Sequence, residues 1–211
     1  MKKLLILLGI LAAALANAQI SGFDDITTWA GSGVNRSALV IDWNDGVVPE
    51  SLVWGFRWDG TATGGDMLAA VMAADPRFSR VMGGGGPLTI FGLGYDTDGN
   101  GLPLQGSGEF QTPADPLDHF REGWFQSGYW ASYVASGTTQ LPSSWSFGSG
   151  DFFTDDLQDG DWKGWSWQPN FDGDAPSAPF NPPAVPEPAG LIAIAAGTLA
   201  VLRRRSRKEV G

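Results

Sequence analysis

The chain has 211 residues, 23 acidic against 13 basic side chains, a formal net charge of −10, one histidine and no cysteine. Disulfides, a thiol nucleophile and a two-His metal site within one chain are therefore excluded. An acidic chain also lacks the clustered Lys and Arg that phosphate contacts need, which sets nucleic acid aside as a partner.

Lys2 and Lys3 precede an apolar stretch from Leu4 to Leu15, and Ala16-Asn17-Ala18 follows. A positive start, a short apolar core and small residues at the cleavage positions are the physical marks of a secretory signal peptide, here residues 1–18. Ala16 and Ala18 are the side chains signal peptidase would read, and Gln19 would begin the mature chain.

With both termini set aside, residues 19–188 hold 22 acids against six bases, a net charge of −16. That charge favours solubility and divalent cations. All ten Trp, twelve Phe and three Tyr fall in this segment, which with its glycines reads as β-rich rather than helical. The expected fold class is mainly β, or α+β: one compact Gly/Trp-rich antiparallel β domain with a single short helix, spanning residues 19–174.

The elements follow in order. Ala38 to Trp43 and Leu52 to Trp58 predict two strands separated by the turn residues Asn44-Asp45-Gly46 and Pro49. Met67 to Ala74 predicts the one helix, capped by Asp66, striped by Met67/Val71 and Leu68/Met72, and stopped by Asp75-Pro76. Its short length requires packing on a sheet. Further strands are expected at Phe78 to Met82, Leu88 to Tyr95, Trp124 to Val134, Ser144 to Phe147 and Trp162 to Trp167. The glycines from Gly83 to Gly86 are not followed by Lys-Ser/Thr, so phosphate cradling is not indicated.

Asp96-Thr97-Asp98-Gly99-Asn100-Gly101 reproduces the first half of an EF-hand-type calcium loop, with oxygen donors at positions 1, 3 and 5 and Gly at 6 for the sharp turn. Alternate residues of such a loop point their oxygens at one hard cation. Ser107 stands where the bidentate Glu belongs, and Glu109 replaces it only if the loop bulges. Candidate calcium ligands are Asp96, Asp98, Asn100 and Glu109; the alternative is an Asx-rich β-turn. Asp151, Asp155, Asp156, Asp159 and Asp161 form a second acidic group, read as solvated turn residues. His119 lies in the polar stretch Asp115 to His119 and is expected at the surface or a rim. No Gly-x-Ser-x-Gly elbow accompanies it. No cofactor is required by any of these residues.

Trp130-Ala131-Ser132-Tyr133-Val134, then Leu157-Gln158-Asp159-Gly160-Asp161-Trp162, then Trp165-Ser166-Trp167, resembles the final strands of the transcobalamin C-terminal-like, β-grasp type domain. The resemblance puts the Asp66 to Ala74 helix at the position of that family's single helix, with Asp96 to His119 as an insert. It implies either a corrinoid binder or an exported domain.

Residues 175–185 form a Pro-rich linker, expected as a stiff, extended stalk. Pro186-Glu187-Pro188 follows, then the uncharged run 189–202, then a basic tail at 203–208 containing Arg203, Arg204 and Arg205. At roughly 1.5 Å per residue the 14-residue run gives about 21 Å of helix, short against a hydrocarbon core of about 30 Å, so flanking residues must snorkel or the bilayer thin. The positive charges would stay cytoplasmic. In this order the segment 186–211 resembles the PEP-CTERM sorting signal of exosortase substrates. That resemblance implies export through the secretion machinery, transient inner-membrane anchoring with a cytoplasmic C-terminus, removal of the helix by the exosortase, and delivery to the cell surface or extracellular matrix.

The leading expectation is thus a non-enzymatic exported surface or matrix protein. A ligand-binding module for carbohydrate or a corrinoid-like macrocycle is the second reading, since Trp beside Asp can stack on a sugar ring while carboxylates accept its hydroxyl protons. A carboxylate-based, glycosidase-like hydrolase is the third.

Overall fold

A computed structural model describes residues 19–83, 89–124, 126–148 and 151–184. The segments expected as a signal peptide and a sorting signal, with Ala16, Ala18, Pro186, Glu187, Pro188 and Arg203 to Arg205, lie outside them. Among the described residues no helix is long and apolar enough to cross a membrane.

Eleven strands and one α-helix run in the order β1 (Trp29–Gly31), β2 (Asn35–Asp42), β3 (Ser51–Trp58), α1 (Gly64–Ala74), β4 (Phe78–Met82), β5 (Ile90–Tyr95), β6 (Leu104–Gln105), β7 (Thr112–Pro113), β8 (His119–Glu122), β9 (Tyr129–Ala135), β10 (Ser146–Phe147) and β11 (Asp161–Gln168). The large sheet has the order β1-β3-β2-β11-β9-β10, and β4-β5-β8 form a second sheet. The hairpin β2–β3 is antiparallel, while β11 lies parallel to β2 and antiparallel to β9. The sheet is therefore mixed rather than wholly antiparallel. A helix crosses between the first hairpin and the later strands, which is what lets β11 return beside β2 in the same direction.

Side chains of the central strands alternate between two apolar layers. Leu39, Ile41, Leu52, Trp54, Phe56, Trp58, Trp165 and Trp167 face the layer that holds Met67, Leu68 and Val71 of α1. Ala38, Val40, Val53 and Trp162 face the other, closed by Ile20, Phe23 and Ile26 from the chain's beginning. With both faces covered, β2 and β3 carry almost continuous apolar runs. Seven of the ten Trp, at 43, 54, 58, 130, 162, 165 and 167, are buried and fill these layers. Indole N–H groups also tie the two sheets together: Trp43 Nε1 donates to Leu93 O at 3.0 Å and Trp130 Nε1 to Arg121 O at 3.1 Å.

The helix starts one turn earlier than its apolar stripe. Thr63, not Asp66, is the N-cap, and Asp66 completes a capping box by accepting the Thr63 N–H at 2.9 Å. Similarly, the strand expected from Trp124 begins only at Tyr129. Gly123 and Gly128 adopt φ of 142° and 126°, which breaks the extended run between them.

The Pro-rich segment corrects a second expectation. It is not a free stalk but a strap laid on the domain as far as Ala184. One edge of β3 is covered by β1 only at Gly55 to Arg57, and the strap satisfies the remainder. Phe180 N donates to Ser51 O and Val53 N to Phe180 O, both at 2.9 Å. Ser177 N donates to Asp42 Oδ2 at 2.7 Å, Asn181 holds Thr27 N and Asp25 O at 2.8 Å each, and Arg77 Nη1 reaches Pro183 O at 2.7 Å. Burial falls on Pro176, Pro179 and Pro182, the three-residue period of a polyproline-type strand. Gln19 bridges to Phe180, so the first residue expected in the mature chain sits beside its last packed segment.

Candidate functional site

Two neighbouring strands of the small sheet meet at the pair Tyr95↔His119. Asp96 and Asp118, one residue beyond that pair on each side, consequently form the neck of the long excursion between β5 and β8. Both are buried, Asp118 at 1% exposure. One carboxylate oxygen from each of Asp96, Asp98 and Asp118 lies within 4.8 Å of the others.

The loop is folded by its own backbone. Asp96 Oδ1 accepts Gly99 N at 2.8 Å and Asn100 N at 3.1 Å, and its Oδ2 accepts Gly101 N at 2.7 Å. Gly99 and Gly101 take φ of 79° and 110°, the left-handed conformations that this tight turn demands. Asp118 Oδ1 accepts Thr97 N at 2.8 Å, while its buried Oδ2 has no hydrogen-bond partner. Burial pushes the Asp118 carboxyl above the ordinary carboxylate range; the Thr97 N–H opposes this, and the charges of Asp96, Asp115 and Asp98 reinforce it.

Of the ligands expected from the sequence, Asp96 and Asp98 come together here. Asn100 turns its amide nitrogen to Asp98 Oδ2 at 2.9 Å and Asp115 Oδ2 at 3.0 Å. Glu109 is engaged elsewhere, with Oε2 accepting Gln126 N at 3.1 Å and Ser127 Oγ at 3.3 Å. The carboxylate that joins Asp96 and Asp98 is Asp118, which the linear motif does not contain. Only the β5–β8 register brings it in.

Of the second acidic group, the exposed Asp151 and Asp159 act as turn residues: Asp151 Oδ1 accepts Phe153 N at 3.0 Å and Asp159 Oδ1 accepts Arg36 N at 2.8 Å. Asp161 departs from the expected solvated turn: it opens β11 at 3% exposure, its Oδ2 accepts Gln158 N at 2.9 Å, and its buried Oδ1 has no hydrogen-bond partner.

His119 departs from its expected surface position. It is 1% exposed, stacks on Trp43 with ring centroids 4.6 Å apart, and places Nδ1 3.2 Å from Asp45 Oδ2. A carboxylate can only accept, so Nδ1 carries the hydrogen. Nε2 is buried and has no hydrogen-bond partner among the described residues.

A cleft of about 440 Å³ opens between the two sheets, lined by Thr89, Ile90, Trp124, Tyr129, Trp130, Ala131, Ser132, Phe147, Asp151, Phe152 and Trp165. Trp165 Nε1 is buried there without a partner. The cleft combines aromatic faces with a few polar groups, the general composition of a small-molecule site.

No protein-family model, curated protein or solved structure matches this chain.

Proposed function

We propose that the protein is an exported, non-enzymatic β domain delivered to the cell surface or extracellular matrix, held in the inner membrane by its C-terminal segment until an exosortase removes that segment. The observation that carries this reading is the ordered tail: Pro186-Glu187-Pro188, the uncharged run 189–202 and the basic cluster at 203–208, opposite a signal peptide at 1–18. Translocation started by the signal peptide puts the domain and the tripeptide outside, and the basic cluster holds the far end inside.

The resemblance to the transcobalamin C-terminal-like β-grasp type domain draws support from the order of elements. The resemblance implies a hairpin, a single helix and a closing aromatic strand in that chain order, and the elements follow that order. A second reading, small-ligand binding, rests on the aromatic cleft. Its volume of about 440 Å³ suits one or two sugar rings better than a corrin macrocycle.

Deleting the membrane exosortase in the host, with the processing of this chain followed by mass and by cell fractionation, tests the leading reading. The expected result is an uncleaved chain retained in the envelope. Unchanged maturation in that background removes the proposal. Titrating the chain with simple glycans while following Trp fluorescence tests the second, and a flat response excludes it.

A further inference from the structure

We infer that the neck of the β5–β8 excursion is a calcium site held by the carboxylates of Asp96, Asp98 and Asp118. Calcium takes six to eight oxygens at about 2.3–2.6 Å, so two ligands of one ion stand no more than about 5 Å apart. The three carboxylate oxygens, within 4.8 Å of one another, meet that limit. An acidic cluster alone is common on surfaces, but this one includes a carboxylate that is 1% exposed and whose Oδ2 has no partner. A buried, unpartnered carboxylate oxygen costs more than any other polar group left unmade, and a bound cation removes that cost.

The nearby protein cation does not substitute for the ion. Arg77 reaches the loop only at Thr97 O, 3.4 Å away, because its Nε and Nη2 are committed to Asp75 at 2.8 and 2.9 Å. Asp96 Oδ1 already accepts two N–H groups, but Oδ2 accepts only Gly101 N and keeps a lone pair for the ion. Asn100 Nδ2 donates to Asp98 Oδ2 at 2.9 Å and to Asp115 Oδ2 at 3.0 Å, which fixes the Asp98 carboxylate beside the other two. Backbone carbonyls and water complete the shell.

The placement gives the ion a task. Asp96 follows the last residue of β5 and Asp118 precedes the first of β8, so one cation staples both ends of the excursion at its base. The extracellular address proposed above supplies calcium at the millimolar level that modules of this kind use, although the site itself does not depend on that address.

The test uses the full chain in detergent, melted with Trp fluorescence in chelator and in calcium. At about 100 times the dissociation constant, the melting temperature rises by roughly 5–10 °C. Asp118→Asn keeps the acceptor for Thr97 N, so it melts in chelator within about 2 °C of the native chain and loses the calcium response. A merely structural Asp118 would lower both melts together. Asp172→Asn, in an exposed loop, retains the full response. Chymotryptic cleavage after the exposed Phe110, on the excursion, slows at least about fivefold with calcium. The inference is overturned by no shift at 10 mM calcium, by a shift that survives in Asp118→Asn, or by a response to magnesium alone.

Discussion

Asp75 gathers a core tryptophan, a core tyrosine and an arginine around one carboxylate. At 4% exposure it accepts Trp54 Nε1 at 3.2 Å, the Tyr95 hydroxyl at 3.0 Å, and Arg77 Nε and Nη2 at 2.8 and 2.9 Å. Burial alone would raise its pKa; the bonds from Arg77 and Trp54, the Arg77 charge and the Tyr95 hydroxyl together outweigh it and hold the carboxyl below the usual range. The same surroundings push the Tyr95 hydroxyl upward, through burial first and then the Asp75 charge. A depressed carboxylate contributes stability that is complete above its unfolded value of about 3.9 and is lost as pH falls through the lower folded value. Thermal melts between pH 7 and pH 2 should therefore show a fall below about pH 4 that Asp75→Asn flattens. Asp75→Ala, which strands the buried Trp54 and Tyr95 donors and the Arg77 charge, should cost about 3–5 kcal/mol at neutral pH in denaturant unfolding. Unaltered acid sensitivity in Asp75→Asn would assign the acid transition to other carboxylates.

The elements differ in how far the sequence discloses them. Phe78 to Met82 matches β4 residue for residue, β3 and β11 extend their expected spans by one or two residues, and β2 starts three residues earlier and stops one short of Trp43, because β-branched and aromatic runs between turn residues are local signals. β1 and β8 are not local. Trp29–Gly31 is too short to carry a period, and His119–Glu122 opens on a histidine whose stacking on Trp43 depends on a partner far away in the chain. The candidate site divides in the same way: Asp96 and Asp98 are legible as a loop motif, whereas Asp118 joins them only through the β5–β8 register. Proline content reports stiffness, not docking, so the sequence predicts a stalk where the structure has a strap. Its docking is testable at Phe180, which is half-buried against the main core and bonded to both Ser51 and Val53. Phe180→Ala should cost about 2 kcal/mol, lowering the melting temperature by roughly 4–8 °C; an unshifted melt would mean that the strap adds no stability.

At the scale of the molecule, the strap and the proposed sorting route make conflicting demands. Only Val185 separates Ala184 from Pro186, and the chain up to Pro183 is fastened by Arg77, Asn181 and the β3 edge. A protease embedded in the membrane must take Pro186-Glu187-Pro188 into its own site, yet a fully extended residue spans at most about 3.6 Å. Either the folded domain, with its acidic surface, is drawn against the bilayer, or the strap peels away from β3 before cleavage. Peeling breaks several hydrogen bonds and exposes Pro179 and Pro182, so it adds a step to the barrier for processing. Inserting about ten Gly and Ser residues after Ala184 removes this conflict without touching the tripeptide, and supplies roughly 17 Å of average reach. Under the proposed sorting route the insertion should raise the rate of tail removal in a pulse-chase experiment by several-fold, and Asn181→Ala, which loosens the strap in place, should raise it by less. Equal rates in the three chains would show that cleavage precedes strap docking, and hence that the domain completes its folding only after release.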